Sequence, residues 1–62
     1  MQTLFFIQDT ANEKGIKILR KYDYQVKVYP GLQVSFESML YIVSRLYLDL
    51  DKDGQCVELI EQ

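Results

Sequence analysis

Ser35-Phe36-Glu37-Ser38-Met39-Leu40-Tyr41-Ile42-Val43-Ser44-Arg45-Leu46-Tyr47-Leu48 is the stretch that sets the expected fold class. Apolar side chains fall at Phe36, Met39, Leu40, Val43, Leu46 and Tyr47, which is the spacing of one face of a helix. Ser35 has the chemistry of an N-cap, and Glu37 sits in the first turn, where the helix dipole favours a carboxylate. A helix from Phe36 to about Leu46–Leu48 follows.

Outward from that segment the chain reads as β-structure. Thr3 to Gln8 is a short apolar run rich in strand formers and is expected to be buried on both faces. Asp9 to Gly15 is polar and ends in glycine, a hairpin loop. From Ile16 the even positions Ile16, Ile18, Tyr22, Tyr24, Val26 and Val28 are apolar, and the odd ones are mostly polar, the period of a half-wet strand. Arg20 breaks the series, so a bend or bulge is expected near Arg20-Lys21. Pro30-Gly31 is a turn signal. Lys52-Asp53-Gly54 fits a three-residue hairpin loop closed by a left-handed glycine, with Cys56, Val57 and Leu59 on the return strand. The expected architecture is α+β: a single domain over residues 1–62, with a small antiparallel sheet of three to four strands packed against one helix.

Length and composition narrow the function. A chain of 62 residues makes one small domain that buries about 60% of its unfolded surface. The lone Cys56 excludes an intramolecular disulfide, and one thiol suits a reducing compartment, so a cytoplasmic setting is expected. The absence of histidine excludes a typical zinc site. The longest apolar runs are too short for a membrane span, and the N-terminus lacks the pattern of a signal peptide. Catalysis has little to work with, since neither a nucleophile–base pair nor a phosphate loop is present. The expectation is therefore a protein that binds, with no enzyme activity and no cofactor.

Charge is uneven. Residues 1–33 carry five basic and three acidic side chains, a sum of +2, whereas residues 34–62 carry two and six, a sum of −4. The acidic half suits a basic partner and repels nucleic acid. The five tyrosines are the kind of side chain that stacks on bases, but Tyr22 and Tyr24 lie on the apolar face of their strand, where core packing is the ordinary use. Asp49-Leu50-Asp51-Lys52-Asp53-Gly54 matches the start of a calcium-binding EF-hand loop. The twelfth position, however, is Ile60 where a bidentate Glu is required, and a hairpin turn accounts for the segment better.

Two stretches carry a resemblance. Leu4-Phe5-Phe6-Ile7-Gln8-Asp9-Thr10, then Glu13 and Ile16-Lys17-Ile18-Leu19, resembles the last hairpin of the phage-encoded inhibitors of uracil-DNA glycosylase. Phe36-Glu37-Ser38-Met39-Leu40-Tyr41 resembles the enzyme-facing edge strand of the larger inhibitors. With Gly31-Leu32 and Ser35 it also resembles the Gly-Leu, Ser and Phe-Glu-Leu-Tyr pattern of the very small ones, with one residue fewer between Ser35 and Phe36. Relative to the larger inhibitors the two elements occur in the opposite order. The two forms place Glu37 differently, on a helix's first turn or on an edge strand.

The resemblance implies a DNA mimic. The target enzyme flips uracil out of the duplex and fills the gap with an apolar side chain. An inhibitor of this kind puts carboxylates where phosphates lie and offers that side chain a pocket. Glu37 is then the central phosphate mimic, with Ser38 beside it. Asp49, Asp51 and Asp53, if extended, stand on one face roughly 6–7 Å apart. Phe36, Met39, Leu40, Tyr41 and Val43 form the pocket. The implied partner is a uracil-DNA glycosylase in the cytoplasm of a bacterial host, with no direct contact to nucleic acid or membrane. The alternative is a structural or regulatory interaction domain, such as a homodimer that meets through its tyrosines and a sheet edge.

Overall fold

The computed structural model describes residues 1–62 and contains no helix. Five strands form one sheet: β1 (Gln2–Gln8), β2 (Ile16–Tyr22), β3 (Gln33–Phe36), β4 (Met39–Asp49) and β5 (Gly54–Glu61). Their order is β2-β1-β5-β4-β3. The central pair, β1 and β5, is parallel, and the other neighbours are antiparallel. The sheet curls into a half-barrel. This overturns the α+β expectation, both the helix and the purely antiparallel sheet of three to four strands.

The reason lies in the segment that suggested the helix. Phe36 pairs with Met39 across a two-residue turn, and β4 carries an irregularity between Val43 and Arg45. Along this hairpin the concave-facing side chains are therefore Phe36, Met39, Tyr41, Val43, Leu46 and Leu48. One step of three comes from the turn and the other from the bulge, which inserts an extra residue and shifts the alternation. Two such steps within a period of two imitate the three-and-four spacing of a helix. The residues themselves favour a strand, because Tyr41, Ile42, Val43 and Tyr47 are β-branched or aromatic.

The concave face holds the core. Phe5, Tyr41, Val43, Val57 and Leu59 form a buried cluster, with Leu19, Tyr22, Val26, Val28, Leu32, Val34 and Phe36 packed against it. Each such side chain taken fully from water stabilises the fold by about 1.5–3 kcal/mol. Phe5 and Phe6 are both buried, so β1 is covered on both faces as its apolar run suggested. The expected bulge exists in β2, where the register with β1 shifts between Phe5 and Phe6 and leaves Leu19 as the extra residue.

β2 ends at Tyr22, short of the long strand that its alternation suggested. Residues 23–32 instead cross the concave face as a strap, and Val26, Val28 and Leu32 pack down into the core. A buried polar knot holds the strap. The Thr3 hydroxyl donates to the Tyr24 carbonyl at 2.8 Å and accepts from the Val26 N–H at 2.9 Å and the Gln55 amide at 3.0 Å. That amide also donates to the Val26 carbonyl at 2.6 Å. The β4–β5 loop is not the expected three-residue Lys52-Asp53-Gly54 loop, because Asp49 pairs with Gly54 and the four residues 50–53 form it. Asp53, with φ of 48°, takes the left-handed position, and Gly54 opens β5. Gly54 is needed for a close approach, since a Cβ there would stand 3.2 Å from the Gln2 carbonyl oxygen.

Candidate functional site: the cleft between the edge strands

A half-barrel has two free edges, here β2 and β3, and the curl brings them to face each other across the concave side. Between them lies a cleft of about 250 Å³. Phe5 and Leu59 form its floor. Leu19 and Tyr22 of β2, with Tyr24 and Val26 of the strap, line one wall, and Val34, Ser35 and Phe36 of β3 line the other. The aromatic rings support one another: Phe5 and Tyr22 meet edge to face at 6.1 Å, and Tyr22 and Tyr24 tilt together at 5.3 Å. The strap's polar knot fixes Tyr24 and Val26, so the wall is preorganised rather than loose.

At the mouth the Arg20 guanidinium lies 4.5 Å from the centroid of the Phe36 ring. This stacking joins the two edges across the gap through a cation–π contact. The molecule has two ion pairs, the N-terminal amine with Asp53 and Arg45 with Glu58, and Arg20 takes part in neither. The cleft is therefore an apolar, aromatic recess with one cation at its mouth that lacks a carboxylate partner.

The residues suggested as site residues separate into three places. Phe36 lines the cleft, and Glu37 and Ser38 form the hairpin tip beside it, with Met39 and Leu40 exposed at the start of β4. Tyr41 and Val43 are buried in the core, where they support the cleft from below. Asp49, Asp51 and Asp53 stand at the other end of β4, in and beside the turn to β5. The length of β4, the longest strand, separates Glu37 from these aspartates, so the four carboxylates do not make one row. The aspartates also form no calcium loop: the Asp49 carboxylate accepts the Asp51 N–H at 3.2 Å, a turn-forming bond, and no group of three or more acidic or thiol side chains is placed to hold a metal.

The convex face is a second surface. Phe6 is buried at its centre beneath Tyr47, whose ring lies 6.5 Å away edge on, while Ile18, Tyr47 and Ile60 are exposed around it. The neighbouring Cys56 thiol is the main cause that raises the Tyr47 phenol above its ordinary pKa. Glu58 is buried on the same face. The Gln8 amide donates to it at 2.7 Å and the Arg45 guanidinium at 3.2 Å. The Gln8 bond is the main cause of its lowered pKa, with Arg45 assisting against the opposing effect of burial.

Sequence reasoning missed Arg20, Tyr22 and Tyr24 as site residues. One signal was present: Arg20 occupies a position where the alternation calls for an apolar side chain, and a cation on an apolar face marks a mouth or a rim. No family model matches the chain, and neither a curated protein nor a solved structure matches it.

Proposed function

We propose that the chain is a non-catalytic protein-binding module whose cleft between β2 and β3 takes an apolar side chain of its partner. The cleft itself supports this reading. It is aromatic, preorganised by the strap and open to solvent between two free strand edges. Its size suits one side chain better than a substrate with its cofactor. The test is an NMR titration of the 15N-labelled protein with N-acetylphenylalanine amide. Saturable shifts centred on Tyr22, Val34, Ser35 and Phe36 are the expected result. Shifts scattered evenly over the surface, or none, would overturn it.

Inhibition of uracil-DNA glycosylase is a second reading, and one observation favours it. Phe36 lines the recess and Glu37 follows at the tip of the same hairpin, so a receptor for an intruding side chain and a phosphate-mimicking carboxylate stand side by side. In this form the mimicry rests on Glu37 alone, because the three aspartates lie at the far end of β4. The assay is uracil excision from a labelled oligonucleotide by bacterial glycosylases, with equimolar protein. Loss of excision with wild type and its recovery with Glu37→Ala support the reading. Full excision with enzymes of several hosts sinks it and leaves the cleft without that partner.

A further inference from the structure

We infer that the cleft takes the C-terminal residue of a partner chain, with an aromatic or large aliphatic side chain in the recess and the terminal carboxylate on the Arg20 guanidinium. The inference rests on the cleft being a binding site and names what fills it. Three observations converge.

The first is charge. Arg20 stands at the mouth of an otherwise apolar recess, stacked on Phe36 and without a carboxylate partner. A guanidinium stacked by its plane keeps its N–H groups free at the edge, in a fork that matches a carboxylate. The occupant therefore combines an apolar body with an anion at its rim.

The second is the free edge of β3. The two-residue turn at Glu37-Ser38 makes Phe36 and Met39 the hydrogen-bonded closing pair, so Val34 and Tyr41 are the next such pair. The bond from the Val43 N–H to the Leu32 carbonyl at 2.8 Å continues the same alternation. Ser35 and Gln33 consequently turn their backbone N–H and C=O groups away from β4, toward the free edge, and Ser35 lines the cleft. An extended chain can pair with these groups by strand addition.

The third is length. β3 has four residues, and only two of them offer outward backbone groups. An edge this short suits the end of a chain better than a long internal strand. A C-terminal residue also supplies side chain and carboxylate together, one for the recess and one for Arg20.

The experiment compares two acetylated tripeptides ending in Phe, one with a free C-terminal carboxylate and one with a C-terminal amide, by NMR titration of the 15N-labelled protein. Arg20 is exposed on the edge strand, so Arg20→Gln leaves the core intact and serves as the variant. The expected result is that the acid binds about tenfold more tightly than the amide, the scale of one charge-assisted hydrogen bond. The acid should move the Arg20, Ser35 and Phe36 amides, and Arg20→Gln should bring acid and amide to equal affinity. Equal affinity of acid and amide for the wild type overturns the carboxylate site while leaving the cleft as a receptor for an apolar side chain. Absence of shifts at the cleft with both peptides overturns the cleft reading as well. Phenylpropionate forms a third arm: if it binds as tightly as the acid peptide, the occupant is a small free carboxylate and the strand addition is wrong.

Discussion

Glu58 is the one acidic side chain that the fold buries. It is buried on the convex face, with the Gln8 amide and Arg45 holding its ionised form. Its pKa is lowered in the folded state, so the unfolded chain takes up the proton first as pH falls. The stabilising contribution is complete above the ordinary Glu value of about 4.3 and is lost as pH drops through the lower folded value. Urea unfolding of wild type and Glu58→Gln across the acid range checks this. Wild type should lose stability more steeply below about pH 4 than the variant, and parallel curves would refute the assignment. Glu58 was not singled out by sequence reasoning, because its neighbours Gln8 and Arg45 come from two other strands. Arg20 was marked as a break in an alternation, but its role appears only once Phe36 is seen across the gap.

At the scale of elements, the β3–β4 hairpin is the decisive piece. Its turn residues Glu37 and Ser38 both have positive φ, 49° and 65°, a conformation that Asn-Gly adopts readily and that other L-residues adopt at a cost. Replacing the pair by Asn-Gly should raise stability by roughly 1–2 kcal/mol, measured by chemical denaturation. An unchanged or lowered midpoint would show that the turn is not strained in this way. Strain kept at an exposed hairpin tip is a reason to test Glu37 in the proposed contact. The β1–β2 hairpin, the Pro30-Gly31 turn and the β4–β5 hairpin were all legible from local chemistry. The β3–β4 hairpin was not, because a turn and a bulge each added a step of three to an alternating pattern.

At the scale of the whole molecule, the strap of residues 23–32 does what a helix was expected to do, covering the concave face of the sheet. Its attachment is polar and buried: the Thr3 hydroxyl serves the Tyr24 carbonyl, the Val26 N–H and the Gln55 amide at once. Thr3→Val keeps the shape and removes all three bonds, leaving buried polar groups unpaired. The expected loss is roughly 1–3 kcal/mol in global stability, with the strap amide of Val26, which loses its acceptor, exchanging faster with deuterium. Unchanged exchange there would show that packing alone holds the strap. Several local events are written in the chain: the apolar run of β1 and its cover on both faces, the start of β2 at Ile16, the turns at residues 9–15 and at Pro30-Gly31, and the lack of zinc-binding groups. Those depend on neighbours in the chain, through backbone preference and side-chain period. The assembled sheet was needed to show that Phe36 to Leu48 is β-structure apart from its turn, that β1 and β5 lie parallel at the centre, and that Arg20 meets Phe36 at the mouth of a cleft. The β1–β5 pairing and the Arg20–Phe36 contact join residues distant in sequence, which local preference cannot place, whereas in β4 a turn and a bulge gave an alternating pattern the spacing of a helix.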